Sequence, residues 1–152
     1  MRQQRKAPFL NSEWTEKIVE IKRTSKKTKG GNQISFTTLA VVGNGKGKVG
    51  FALAKAKNVP SAIKKAMRKA RKNAITLSLV NETIPHSFTA KFKGAKVVLR
   101  PARLGSGLIA GSVIRAIAEV AGIKDLTAKI MGSSNKNANV QAVFKGFESL
   151  RQ

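Results

Sequence analysis

Ile34-Ser35-Phe36-Thr37-Thr38-Leu39-Ala40-Val41-Val42, then Gly43-Asn44-Gly45-Lys46-Gly47-Lys48, then Val49-Gly50-Phe51-Ala52-Leu53-Ala54-Lys55, is the stretch on which the fold turns. The first run is rich in β-branched and aromatic residues and reads as a strand. The glycine-rich middle reads as a turn, and Val49–Lys55 as the returning strand. Upstream, Ile18, Val19, Ile21 and Thr24 give Glu16–Ser25 an imperfect strand pattern, so the three runs together predict an antiparallel meander. A polar basic run, Lys26-Lys27-Thr28-Lys29-Gly30-Gly31-Asn32, interrupts the first two and reads as a loop. Downstream, Ile63, Ala66, Met67 and Ala70 recur at i, i+3, i+4 and i+7, the period of a helix. Asn58 suits its N-cap and Pro60 its first turn.

The second half opens with Ile75–Val80 and breaks at Pro85. A hairpin is predicted from Ser87–Phe92 and Ala95–Leu99, turning near Lys93-Gly94. An apolar helix follows over Leu108–Ala121, introduced by Gly105-Ser106-Gly107 and ended by Gly122. Leu126–Met131 reads as a short strand, and a last helix runs from Asn135 through Val140, Val143, Phe144 and Phe147. Both halves predict helices packed on one face of a mostly antiparallel sheet, the α+β arrangement.

Charge states what such a chain meets. Thirty Lys and Arg face seven Asp and Glu, a formal net charge of +23. The excess is uneven: residues 1–73 hold 19 basic and 3 acidic side chains, residues 74–152 hold 11 and 4. A dense polyanion is the natural countercharge, and nucleic acid is the commonest. There are no cysteines, which removes disulfides, thiolate metal sites and cysteine nucleophiles. No apolar run approaches the roughly 18 residues of a membrane span, so no membrane partner is expected and the chain reads as cytosolic or of an organelle matrix. His86 is the lone histidine and the acids are scattered. Neither a metal cluster nor a nucleophile with its base can be assembled, so neither a cofactor nor catalysis is expected.

The candidate contacts for RNA follow from that charge. In the loop Lys26–Gln33, glycine clears the way for backbone amides and ammonium groups to approach phosphates. Lys26, Lys27, Lys29, Gly30, Gly31 and Asn32 are its contacts, with Lys22 and Arg23 just before it. Gly45-Lys46-Gly47-Lys48-Val49-Gly50 matches G-x-G-x-x-G in letters only. No helix begins there, and no acid appears until Glu82 where one is needed about 20 positions on. A turn on RNA backbone, through Lys46 and Lys48, and a plain tight hairpin fit it equally. Lys55 closes the third strand. The predicted helix carries Lys64, Lys65, Arg68, Lys69, Arg71 and Lys72 with no acid, and its like charges at i,i+4 call for an external polyanion. Gly105-Ser106-Gly107, near Arg100 and Arg103, is either an anion-binding helix start or a packing turn. Asn135, Asn137 and Asn139 suit capping better than RNA contact. Trp14 and Phe9 suit packing on the protein's own sheet better than base stacking.

Several ordered motifs resemble a known family. Thr24-Ser25-Lys26-Lys27-Thr28-Lys29-Gly30-Gly31, Phe36-Thr37-Thr38-Leu39-Ala40-Val41-Val42-Gly43 and Gly47-Lys48-Val49-Gly50-Phe51 are similar to the N-terminal domain of bacterial-type ribosomal small-subunit protein five. Val59-Pro60-Ser61-Ala62-Ile63-Lys64-Lys65-Ala66 and Lys69-Ala70-Arg71-Lys72-Asn73 look like its helix. Arg100-Pro101-Ala102, Gly105-Ser106-Gly107-Leu108-Ile109-Ala110-Gly111, Glu119-Val120-Ala121-Gly122 and Gly132-Ser133-Ser134-Asn135 match its second domain. The resemblance spans residues 14–150. It implies a basic extension over 1–13, a double-stranded-RNA-binding-like domain over 14–74 with a three-stranded antiparallel sheet and helix, and an α+β domain over 75–152 with a left-handed βαβ crossover. It implies a structural role in the small ribosomal subunit of the cytoplasm or an organelle, influence on decoding accuracy, and small-subunit rRNA as partner. Ribosomal small-subunit proteins four and eight would be neighbours, with mRNA nearby and no homo-oligomer. Lys93, Gly94, Lys96, Arg100 and Arg103 would lie toward protein four, and the Lys26–Gln33 loop is the one associated with the spectinomycin site. This chain departs from the pattern at Arg103-Leu104 and at Lys136, where a proline is usual, and it ends at Gln152 without the tail that many members carry.

Overall fold

The computed structural model describes residues 14–150; the extension expected over 1–13, with Phe9, lies outside the described residues. β1 (Thr15–Thr28), β2 (Gly31–Gly43) and β3 (Lys48–Ala56) form the predicted meander, followed by α1 (Val59–Lys72). A two-residue strand, β4 (Ile75–Thr76), pairs with Lys48 and Val49 and extends that sheet to the order β1-β2-β3-β4. β5 (Phe88–Phe92), β6 (Ala95–Pro101), β7 (Leu108–Ile109) and β8 (Leu126–Gly132) make a second sheet in the order β5-β6-β8-β7. α2 (Ser112–Ala121) connects β7 to β8, which run parallel, and α3 (Lys136–Ser149) comes last. The α+β class holds.

Alternation along β2 divides its side chains between two neighbours. Ala40 and Val42 face α1, where Ala62, Ala66 and Ala70 let the helix lie close to Ala52 and Ala54 of β3. Leu39 and Val41 face the other way, into a core shared with Val97, Leu99, Ile114, Ile117, Val143 and Phe147. Phe51 of β3 meets Phe144 of α3 with ring centroids 4.5 Å apart. The layers are therefore α1, first sheet, α2 with α3, second sheet, and the largest core joins both halves. Phe147 is 1% exposed in that core; truncating such a side chain to Ala costs about 3–5 kcal/mol.

Three local readings change. The run Lys26–Asn32 is not a loop: the β1–β2 ladder continues to the pair Thr28↔Gly31, leaving only Lys29 and Gly30 to turn. The register slips by one between Ile18 and Glu20, a β-bulge centred on Val19. α2 begins at Ser112 rather than Leu108, because Leu108 and Ile109 pair with Leu126 and Thr127 and Gly111 stays extended at φ −62° and ψ 158°. Beyond Thr76, Ile75–Val80 leaves the ladder; only Val80 makes a further bridge, to Thr83.

Candidate nucleic-acid interface

The β1–β2 hairpin extends beyond the core. From Ile21 to Ile34 every residue except Thr24 is exposed, so this finger is held by backbone pairing and not by packing. Strand alternation sorts its side chains. Lys22, Thr24, Lys26 and Thr28 share one face with their cross-strand partners Thr37, Ser35, Gln33 and Gly31, and Lys55 of β3 lies opposite Thr37. Arg23 and Lys27 share the other face with Phe36 and Asn32, the face on which α1 packs further down. Lys29 and Gly30 form the tip, where the Thr28 hydroxyl donates to the Gly31 carbonyl at 2.8 Å. Among the described residues no carboxylate lies within salt-bridge distance of Arg23, Lys26, Lys27 or Lys29. Lys22 does have one, Glu20 at 3.1 Å, yet keeps 61% of its side chain exposed. Lys57, outside the sequence-derived set, is exposed at the same end of the sheet, just past β3; its place two residues beyond Lys55 was the available signal.

α1 presents Lys64, Lys65, Arg68, Lys69 and Lys72 to solvent, with no carboxylate within reach among the described residues. Arg71 departs from that set: it is half-buried and its guanidinium binds the Glu16 carboxylate of β1 at 2.6 Å. Asn58 does occupy the N-cap, but its side chain makes no capping hydrogen bond.

The glycine turn resolves the two readings left open for it. Gly45 N–H donates to the Val120 carbonyl at 3.0 Å and Gly47 N–H to the Ala121 carbonyl at 2.8 Å. Asn44 Oδ1 accepts from Lys46 and Lys48 N–H at 2.9 and 3.0 Å, and Asn44 N–H donates to the Lys48 carbonyl. Every amide from Asn44 to Lys48 is thus taken inside the protein, and none remains for phosphate. The turn caps the last carbonyls of α2, groups that a helix end leaves without partners. Contact is so close that a Cβ on Gly43 would strike the Val120 carbonyl and one on Gly122 the Gly45 carbonyl. The side chains of Lys46 and Lys48 still face solvent, and Lys48 Nζ lies 5.8 Å from the Trp14 ring centroid. Trp14 itself packs beside Val42, Ala52 and Ala70, as its size predicts.

In the second half one glycine amide of the Gly105-Ser106-Gly107 run is taken in the same way. Gly107 N–H donates to Asp125, a carboxylate only 5% exposed, at 2.7 Å, so the chain supplies the anion there itself. Asn135 caps α3 by accepting from Asn137 N–H at 3.1 Å, while Asn139 is buried and donates to the Ser133 carbonyl. Lys136 opens α3 without difficulty and reaches Glu20 of β1 at 3.5 Å. Lys93 and Gly94 form the β5–β6 turn, Lys93 in a left-handed conformation with φ 51°. Lys96 and Arg100 stand on the outer face of β6, and Arg103 is exposed beyond it. Across that outer face Lys91, Lys96 and Met131 align, then Thr89, Val98 and Lys129. Arg100, Thr127 and Ile109 complete a third row.

The cations therefore form separate groups: finger and α1 beside the first sheet, the glycine-turn lysines at the opposite end of β2, and the outer face of the second sheet. Residues 14–78 match the family model described as Ribosomal protein S5, N-terminal domain, and residues 90–152 match Ribosomal protein S5, C-terminal domain. The chain belongs to the ribosomal protein S5 family. Relatives named small ribosomal subunit protein uS5 agree over most of its length. One from Buchnera aphidicola subsp. Schizaphis graminum is 48% identical, over 93% of this chain and 84% of that protein. Others from Thermotoga petrophila and Chloroflexus aurantiacus are 46% and 47% identical, each over 91% of this chain and 78% of that protein. Ribosomal protein S5 is a family of structural ribosomal proteins and not of enzymes. Its N-terminal match runs past α1 to include β4, the strand that closes the first sheet.

Proposed function

We propose that this chain is a structural constituent of the small ribosomal subunit that holds rRNA between the β1–β2 finger and the acid-free outer face of α1. The observation that carries the reading is the finger: Lys26, Lys27 and Lys29 are exposed beyond the core with no carboxylate within reach among the described residues. Phosphate neutralisation by such side chains drives sequence-independent binding and makes it salt-dependent. Gly30, Gly31 and Asn32 let the backbone come close at the tip, while Lys22, Arg23 and Lys55 extend the contact toward the sheet. Lys64, Lys65, Arg68, Lys69 and Lys72 meet phosphate from α1, and Lys46 and Lys48 contribute through side chains alone.

On this reading residues 14–74 are the RNA-binding part and 75–152 the part that meets neighbours. Those neighbours are ribosomal small-subunit proteins four and eight, met in part through Lys93, Gly94, Lys96, Arg100 and Arg103. The chain would work in ribosomes of the cytoplasm, near the side where mRNA enters, and support decoding accuracy. Replacing Lys26, Lys27 and Lys29 together with Ala should lower the slope of log affinity against log salt by roughly 2–3 on an rRNA fragment. An unchanged slope removes the finger from the interface.

A further inference from the structure

Asn44-Gly45 is the one Asn-Gly pair in the sequence, and it lies in the turn that joins the two halves. Asparagine is among the thermolabile residues. Its side-chain amide is open to attack by the next backbone nitrogen, most readily where that residue is glycine and no Cβ stands in the way. The turn supplies part of what this reaction needs and withholds the rest. Lys46 and Lys48 N–H both donate to Asn44 Oδ1, at 2.9 and 3.0 Å. Two such donors polarise the Cγ carbonyl and stabilise the negative charge that attack develops on Oδ1. Asn44 Nδ2, the leaving group, makes no hydrogen bond among the described residues. Asn44 is half-buried and Gly45 exposed, so water reaches the pair. What is held back is the nucleophile. Gly45 N–H donates to the Val120 carbonyl at 3.0 Å, and the Gly47 carbonyl accepts from Leu77 N–H at 2.8 Å. The Lys17–Glu119 ion pair ties β1 to the same end of α2.

We propose that Asn44-Gly45 is a self-modification site gated by the joint between the halves, and that its isoaspartate product holds the joint open. When the turn leaves α2, the Gly45 nitrogen loses its proton to hydroxide and bonds to Asn44 Cγ. The Cγ–Nδ2 bond breaks, ammonia departs with a proton from water, and a cyclic succinimide remains. Water then opens the ring at one of its two carbonyls. Opening at Cγ restores the ordinary main chain and leaves aspartate. Opening at the main-chain carbonyl leaves Gly45 bonded to Cγ, which lengthens the main chain by one atom. The two products act differently on the joint. Aspartate still offers oxygens to Lys46 and Lys48 N–H, and its charge strengthens those bonds. Isoaspartate needs room for an added carbon, and there is none. Even a Cβ on Gly43, Gly47 or Gly122 would strike a main-chain carbonyl, so Gly45 and Gly47 lose their places on Val120 and Ala121. The deamidation is irreversible and records each opening that leads to it.

The test incubates the full chain in mildly alkaline buffer beside a free peptide of residues 41–48. Mass spectrometry reads the conversion of amide to acid, and an isoaspartyl methyltransferase label reads the share of isoaspartate. The folded chain should deamidate at least about tenfold more slowly than the peptide, because local opening must come first. Equal rates overturn the gate. Gly122→Ala, which loosens the joint, is compared with Phe147→Ala, which empties the core beside Phe88 and Phe144. The first should react at least about fivefold faster than the second. Equal rates mean that only global unfolding frees Gly45, and overturn the proposal. If Gly122→Ala fails to fold, the parent chain is followed in urea below its transition. A rate that stays flat supports a local gate, and one that climbs with the unfolded fraction overturns it. The isoaspartyl chain, separated by chromatography, should unfold at lower urea than the aspartyl chain; coincident midpoints overturn the unlocking.

Discussion

Two glycine–lysine turns of similar composition sit at opposite ends of β2, roughly 40 Å apart at ~3.3 Å per strand residue. Lys29-Gly30, at one end, has nothing within 4 Å of a Cβ placed on Gly30. Gly43–Lys48, at the other, has every amide from Asn44 onward bonded inside the protein and two glycines pressed on or by α2. The same residue types therefore do opposite work. One turn exposes its backbone and charge, and the other spends its backbone on joining the two halves. What separates them is the segment that arrives from elsewhere in the chain.

That contrast can be broken most sharply at Gly122. Its φ of +87° and the Gly45 carbonyl against it leave no room for a side chain, so Gly122→Ala should lower stability by at least about 3 kcal/mol in urea denaturation. A loss below about 1 kcal/mol would mean that the two halves are not locked there. Next in size is the salt slope of the triple lysine variant of the finger, whose stability should stay within about 0.5 kcal/mol of the parent because the side chains touch no core. Lys46→Ala should change that slope by no more than about 1, since only its side chain is free; an effect equal to the triple variant's would erase the distinction. Smallest is Gly30→Ala, expected within about 0.5 kcal/mol of the parent by the same denaturation.

α1 and α3 were legible from apolar residues at helical spacing, and the meander from runs of β-branched and aromatic residues, although β2 is buried on both faces from Thr38 to Gly43. Ile34–Val42 and the set Ile63, Ala66, Met67, Ala70 are the clearest cases. Lys26–Asn32 left no such trace. A ladder exposed on both faces has no apolar alternation, and its polarity reads as a loop although its hydrogen bonds are those of a strand. Leu108–Ile109 failed for the opposite reason: a short apolar run joins smoothly to the helix after it, and only Leu126 and Thr127 of β8 reveal a strand. The role of Gly43–Lys48 was out of reach because its partners, Val120–Gly122, lie more than seventy residues on in the sequence. Of the candidate contacts, charge located the cations, but register alone divided Lys22 and Lys26 from Arg23 and Lys27.

The bulge at Val19 also decides where this chain can change length. Beyond it, every pair from Glu20↔Leu39 to Thr28↔Gly31 is set from the tip, whereas Thr15↔Gly43 to Ile18↔Ala40 are set from the core end. Val19 absorbs the one-residue mismatch between those two registers. Losing it would straighten β1 while preserving all of these partners, at the cost of the contact Val19 makes with the core. Losing any one residue from Ile21 to Thr28 would instead turn part of the finger over, exchanging the lysines between its faces. A strand position, and not the exposed tip, is thus the site where a single-residue deletion keeps each of the finger's lysines on its own face.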